Sequence, residues 1–162
     1  LLGQVYIAMP ICLMYEILSY NHIILLALFV IIWASDTFAY LAGSLFGKHK
    51  LSPSISPNKS WEGVVGGLIG ALLTALVFYL TVSEPMAFEK TVSPIRWLIF
   101  AVVIVVFGTL GDLLESLLKR TVGVKDSGHI MPGHGGLLDR LDSVIFAVIP
   151  AAVYIFIMSI IC

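Results

Sequence analysis

Long apolar stretches separated by short polar segments dominate the pattern of the chain. An α-helix of about 20 apolar residues crosses the hydrocarbon core of a bilayer. The apolar runs here are continuous rather than alternating, which favours helices over barrel strands. The pattern therefore predicts an all-α fold, a polytopic transmembrane bundle of about five membrane helices, at Leu1 to Tyr20, Ile23 to Ala42, Val64 to Val82, Pro94 to Leu118 and Leu141 to Cys162.

Composition supports a membrane protein and excludes an ordinary soluble domain. Of the 162 residues, 59% are hydrophobic and 12% are charged, and the mean hydropathy is +1.04. Cys12 and Cys162 lie in apolar segments without metal-type spacing, so we expect neither a disulfide framework nor a cysteine metal site. Because the chain begins with Leu1, we interpret residues 1–162 as a single transmembrane catalytic region, the C-terminal part of a longer membrane enzyme.

The basic residues predict the orientation of the bundle. Two polar loops, after the second and fourth apolar stretches, carry seven of the nine, namely Lys48, Lys50, Lys59, Lys119, Arg120, Lys125 and Arg140. Two helices separate these loops, so both must lie on the same side of the membrane. The positive-inside rule makes that side cytoplasmic. We therefore predict a multi-pass protein of the cell inner membrane with two active-site loops facing the cytoplasm.

The second helix and the loop after it carry the first candidate residues. Asp36 and Tyr40 share one helix face. The structural alternative for Asp36 is a salt bridge to a lysine at the interface or a helix cap, but an acid within a membrane helix more often has a function. In the loop, Lys59 and Ser60 precede a glycine-rich helix start. A helix N-terminus beside a lysine is a favourable binding site for phosphate. Lipid headgroups explain Lys48 and Lys50 equally well.

A polar stripe ends the fourth helix. Asp112, Glu115, Ser116 and Lys119 fall on one face of an otherwise apolar helix, as their spacing shows. In a membrane protein, such a stripe must line water or face other protein groups.

The glycine-rich segment from Lys125 to Ser143 is the strongest signal in the chain. Two of its carboxylates, Asp139 and Asp142, share a helix face. With no cysteine nearby, they favour a hard cation such as Mg²⁺ over zinc. His129 and His134 lack a further zinc-ligand pair, so loop architecture or phosphate contact is the better interpretation. Asp139 also stands where a helix N-cap is expected, and capping remains an alternative for it.

These residues resemble a known family. The run from Ser116 to Asp142 is similar to the defining sequence of the phosphatidate cytidylyltransferases, also called CDP-diacylglycerol synthases. Two further segments, Ser35 to Thr37 and Ser56 to Gly63, resemble other motifs of that family in the same order. The resemblance covers most of the chain. Members of the family are typically longer, with additional membrane helices before the matched region, so the chain resembles the C-terminal, active-site half.

The resemblance implies a reaction of CTP with phosphatidic acid that gives CDP-diacylglycerol and pyrophosphate. The implied cofactor is Mg²⁺, and use of a second cation remains open. It implies that the metal ligands are Asp112, Asp139 and Asp142, and that triphosphate or phosphatidate oxygens contact Lys59, Lys125 and Arg140. The pocket would be shaped by Asp36, Tyr40, Ser60, Ser116, Lys119, His134, Gly135 and Gly136. The expected partners are CTP, phosphatidic acid and membrane lipid, with no nucleic acid; a homodimer is a possible assembly.

Two other functions remain open from the sequence. A CTP-dependent lipid or polyprenol kinase would transfer the terminal phosphoryl group and release CDP instead of pyrophosphate. A transporter or channel would use Asp36 and Asp112 as ion-pathway residues. Transport does not require a basic, glycine-rich loop followed by two acids, which argues against that class.

The charge pattern makes a testable topology prediction. Cysteine introduced at Ser54 or at Ser127 should react with a membrane-impermeant reagent only from the cytoplasmic side, because the positive-inside rule places both loops there. Labelling is measured in sealed vesicles of each orientation. Reaction of either residue from the opposite side would contradict the orientation.

Overall fold

The computed structural model describes residues 2–52, 56–81, 93–121, 123 and 138–161, with side chains described for all of these except 2–5, 57, 138–140 and 161. Five helices occupy the described residues: α1 (Leu2–Tyr20), α2 (His22–Phe46), α3 (Trp61–Thr81), α4 (Pro94–Thr121) and α5 (Leu138–Ile161). They form the predicted helical bundle, which is confirmed.

Four of these helices are long and apolar enough to cross a membrane: α2, α3, α4 and the Leu141–Ile160 part of α5. Among the described residues, α1 contributes a shorter apolar stretch, Tyr6–Tyr20. The boundaries differ slightly from the predicted ones, since α2 continues to Phe46 and α4 to Thr121, past the ends of the apolar runs. Hydrogen bonding within a helix does not stop where the apolar side chains stop.

The loop between α2 and α3 contains a small hairpin that the sequence did not predict. Strands β1 (Lys50–Ser52) and β2 (Ser56–Ser60) pair antiparallel, with Lys50 opposite Ser60 and Ser52 opposite Ser56. These strands are short and polar and lack alternating hydrophobicity, so they carry no strand signal in the sequence.

Contacts with the start of α3 hold the hairpin in place. The backbone N–H of Trp61 donates to the carbonyl oxygen of His49 at 3.0 Å. The Glu62 carboxylate accepts from the His49 backbone N–H at 3.2 Å and lies 2.7 Å from His49 Nδ1. The hairpin is therefore anchored at the point where the chain enters α3.

Helices α2 and α3 approach each other closely through glycine. A Cβ atom on Gly67 would lie 2.9 Å from the carbonyl oxygen of Ser35, and one on Gly63 would lie 2.9 Å from that of Ala39. Small residues at a membrane-helix interface let the backbones come together in this way. The face of α2 that carries Ser35 and Ala39 is thus held against the first turns of α3.

The apolar core lies between α2, α4 and α5. Its fully buried side chains include Leu28, Ile31, Phe100, Ile104 and Val148. Away from the hairpin end, the Tyr154 hydroxyl donates to the Arg96 carbonyl oxygen at 2.9 Å, which joins α5 to the start of α4. This core sets the distance between α4 and α5, and hence the position of the polar residues at their hairpin ends.

Two glycines on the same face of α4 provide a matched test of this packing. A Cβ on Gly111 would lie 2.4 Å from Phe146 Cβ, whereas the nearest atom to a Cβ on Gly108 is 3.7 Å away. Gly111→Ala should therefore lower the thermal midpoint in detergent, because overpacking of a core typically costs about 1–3 kcal/mol. Gly108→Ala should leave the midpoint unchanged or raise it, because alanine favours the helix by about 1 kcal/mol over glycine. Equal midpoints for the two variants would contradict the close approach of α4 and α5.

Candidate active site

A polar cavity of about 540 Å³ lies at the hairpin end of the bundle, lined by residues of α2, the hairpin, α3, α4 and the start of α5. Its charged lining residues are Asp36, Lys59 and Asp112, and hydroxyl groups from Ser35, Ser60 and Thr109 lie among them. Such a cavity in an apolar bundle presents cationic and anionic groups to a polar ligand.

Helix α2 supplies one wall of the cavity. Asp36 and Tyr40 are one helical turn apart, and both line the cavity, as their spacing predicted. Both side chains are exposed. Asp36 lies within electrostatic range of Asp112 and Lys59 across the cavity. The acids of two different helices therefore share one polar space.

An ion pair joins the hairpin to α4. The Lys59 ammonium, near the end of β2, contacts Asp112 Oδ2, and the side chains are 22% and 36% exposed, respectively. The contact places the hairpin and the C-terminal half of α4 at the same end of the bundle. The contact agrees with the prediction, made from the two helices between them, that the ends of α2 and α4 lie on one side.

Ser60 has a local structural role at the cavity wall. Its hydroxyl oxygen accepts a hydrogen bond from the Gly63 backbone N–H at 3.1 Å, and the residue is only 4% exposed. A serine in this position satisfies one of the free N–H groups at a helix start. Ser60 thus caps α3 directly beside Lys59.

A second polar cluster is buried between α4 and α5, next to the cavity but not lining it. Glu115 is 3% exposed and Asp142 is 8% exposed. Lys119 Nζ lies 3.4 Å from Glu115 Oε1. Asp142 Oδ1 accepts from the Ser143 backbone N–H at 2.6 Å. The charges of this cluster are largely withdrawn from solvent.

The donor set of the cavity suits a hard cation. Within the described part of the chain, no three His, Cys, Asp or Glu side chains are grouped closely enough to hold a metal ion by themselves. Asp112 nevertheless already holds a cation, the Lys59 ammonium, and its neighbours offer carboxylate and hydroxyl oxygens rather than sulfur or imidazole. Mg²⁺ prefers such oxygens and usually keeps several waters or substrate oxygens as further ligands. The residues present therefore fit Mg²⁺, and Asp112 is the described residue that would hold it.

Comparison with known proteins shows the family to which the chain belongs. Residues 1–158 match the Cytidylyltransferase family. The chain belongs to the cytidylyltransferase family. It is 48% identical over 149 residues to the phosphatidate cytidylyltransferase of Staphylococcus saprophyticus, covering 90% of this chain and 54% of that protein. The enzyme of the same name from Haemophilus influenzae is 47% identical over 125 residues, which cover 77% of this chain and 43% of that protein.

The resemblance stated from the sequence is therefore confirmed at the level of the family. The chain spans about half the length of the curated relatives that it matches. These matches give the names of the relatives. The role of each side chain in this chain stays a prediction.

The structure brings together only part of the predicted site. The cavity is lined by Asp36, Tyr40, Lys59, Ser60 and Asp112, whereas Ser116, Lys119 and Asp142 do not line it. The other predicted residues lie outside what the structure describes, entirely for Lys125, His134, Gly135 and Gly136 and in their side chains for Asp139 and Arg140. Their roles stay predictions.

Sequence reasoning passed over two residues of this region and placed a third, Glu115, on the polar stripe without assigning it a role. Thr109 and Ser143 line the cavity, and Glu115 forms the buried ion pair with Lys119. Thr109 stands one turn before Asp112, and Ser143 follows Asp142, so helical spacing was the available signal for both. For Glu115 the signal was its position four residues before Lys119.

Substitution of Lys119 distinguishes a structural role of its ion pair with Glu115 from a role in substrate binding. Lys119→Met leaves the buried Glu115 carboxylate without this partner, and breaking a buried pair in this way typically costs about 3–5 kcal/mol. We expect a lower thermal midpoint, largely restored in the double variant Lys119→Met with Glu115→Gln. If Lys119 acts only on substrate, Lys119→Met should instead keep the wild-type midpoint and raise the KM for CTP.

Proposed function

We propose that this chain is a catalytic region that transfers CMP from CTP to phosphatidic acid, forming CDP-diacylglycerol and pyrophosphate. The curated relatives are named for this type of reaction, and the polar cavity is consistent with it. We further propose that the protein resides in the cell inner membrane with the hairpin end facing the cytoplasm, where CTP is found. The excess of basic residues in the two loops at this end supports that orientation.

The ion pair of Lys59 and Asp112 in the polar cavity is the observation that carries the proposal. The reaction joins two anions, because a phosphate oxygen of the lipid attacks the α-phosphorus of a triphosphate. Catalysis then depends mainly on neutralising negative charge and aligning the reactants. A cavity that holds a lysine, two carboxylates and hydroxyl groups at the end of an apolar bundle supports both requirements. The lipid tails can remain in the bilayer while the headgroup reaches the cavity.

The residues divide into two proposed groups. Asp112, together with Asp139, would hold Mg²⁺, which supplies charge neutralisation of the triphosphate when bound. Asp142, the third predicted ligand, does not line the cavity, and its role as a ligand stays a prediction. Lys59 would contact phosphate oxygens, as would the basic residues of the glycine-rich segment, Lys125 and Arg140. Tyr40 and Asp36 would shape the wall on the α2 side. No covalent intermediate on the protein is required.

Two differently labelled forms of CTP test the function in membranes that contain the full chain. Label at the α-phosphate should enter the lipid fraction, and label at the γ-phosphate should appear in pyrophosphate. Both should require phosphatidic acid and Mg²⁺. Entry of the γ-label into lipid would indicate a kinase and would contradict the proposal.

Asp139 distinguishes a metal ligand from a purely structural carboxylate in the same assay. Because α5 begins at Leu138, Asp139 lies in the first turn of the helix and not at the N-cap that the sequence suggested. In a purely structural role it would act through the helix dipole, so Asp139→Asn should keep nearly full turnover and cost at most about 1 kcal/mol of stability. As a Mg²⁺ ligand, Asp139→Asn should remain folded and lose nearly all turnover, because a hard cation needs the negative charge. Asp112→Asn is the companion variant. Activity and thermal midpoint are measured across a range of Mg²⁺ concentrations, and near-normal activity of Asp139→Asn would remove this residue from the metal site.

A further inference from the structure

Lys59 and the proposed metal ion require the same carboxylate. The Lys59 ammonium contacts Asp112 Oδ2, and the pair is partly withdrawn from solvent, with the lysine side chain 22% exposed. Asp112 is also the described residue that fits a metal ligand. An ammonium group has three donors and no acceptor, so it binds a carboxylate through the same oxygen lone pairs that a metal ion uses. Both cations at this carboxylate would stand within a few ångströms of each other and repel.

The surroundings of Lys59 allow its ammonium group to move while its backbone stays fixed. The backbone is held in β2, whose last residue, Ser60, caps α3. The contact of Glu62 with His49 follows directly. The side chain is a flexible four-carbon stem that carries a point charge. Its Nζ atom can leave Asp112 and remain in the cavity, because Lys59 lines that cavity.

We propose that Lys59 and a divalent cation compete for Asp112, so that metal binding releases the lysine for contact with the anionic substrate. Before the metal binds, the ammonium keeps the half-buried carboxylate paired. After it binds, the repelled ammonium faces the space that phosphate groups would occupy. The proposal rests on the proposed function only in taking Asp112 as a metal ligand. It couples metal binding to the presentation of a substrate-binding cation.

Metal affinity without nucleotide tests the competition directly. Mn²⁺ binding to the purified full chain in detergent is measured from the resonance signal of free Mn²⁺. Lys59→Met should bind Mn²⁺ about tenfold more tightly than wild type, within the usual range of coupling between two ligands. Lys48→Met is the matched control, because Lys48 is an exposed lysine next to the hairpin and lies outside the cavity lining. It should bind Mn²⁺ like wild type. Unchanged or weaker binding in Lys59→Met, or an equal gain in Lys48→Met, would overturn the competition.

The reactivity of the Lys59 amine provides a second measurement that needs no lysine variant. Acetylation of Lys59 by acetic anhydride, followed by mass spectrometry, should increase when Mg²⁺ is added, because the amine is released from Asp112. In Asp112→Asn, the reactivity should be high and independent of Mg²⁺. Lys48 acetylation in the same samples should not respond to the metal. Lys59 acetylation that is insensitive to Mg²⁺ in wild type would overturn the proposal.

The measurements separate this proposal from the proposed function. Labelled CTP is supplied to the same wild-type preparation. If the enzyme makes CDP-diacylglycerol but Mg²⁺ does not change Lys59 acetylation, the proposed competition is wrong and the proposed function stands. If Mg²⁺ releases Lys59 but no label enters lipid, the competition stands and the function is wrong. Absence of Mn²⁺ binding to wild type and to Lys59→Met would overturn the competition, because Asp112 would then not be a metal ligand.

Discussion

The close approach of α2 and α3 is the constraint on which the candidate site depends. Gly63 and Gly67 leave no room for a side chain between the helices, so the α2 face with Ser35 and Ala39 meets the first turns of α3. The hairpin that precedes α3 is anchored to that helix start by His49 and Glu62. It is therefore held over the polar part of α2. A bulkier residue at this interface would move the cavity wall and the hairpin together.

The bundle separates its charges into two groups with different exposure. In the cavity, Lys59 and Asp112 are partly accessible and can exchange partners with a ligand. Behind it, Lys119 Nζ lies 3.4 Å from an oxygen of the nearly inaccessible Glu115 carboxylate, which accepts no hydrogen bond from the residues that the structure describes. An unpaired charge in a low-dielectric region is costly, so the buried pair resists rearrangement. This difference in accessibility makes the cavity pair the better candidate for chemistry.

The sequence predicted the cavity residues better than it predicted their contacts. Asp36 and Tyr40 were expected on one face because helical spacing is a local property, and both line the cavity. The polar stripe of α4 was predicted as one unit, yet Asp112 faces the cavity while Lys119 pairs with buried Glu115. The hairpin went unpredicted because its short polar strands are stabilised by contacts with α3 rather than by their own hydrophobic pattern.

By itself, the sequence determined the membrane-spanning helices and the supply of carboxylates and lysines at the ends of α2 and α4, and it predicted that both basic loops share a side. These follow from hydropathy, charge and helical period, which depend on neighbouring residues only. Only the tertiary structure decided that Lys59 contacts Asp112, that Ser60 caps α3 and that Asp142 lies behind the cavity. Hydropathy and helical period leave the distance between side chains on different helices open. The packing of α2 on α3 and of α4 on α5 sets those distances, because glycine permits a backbone approach that larger residues would prevent.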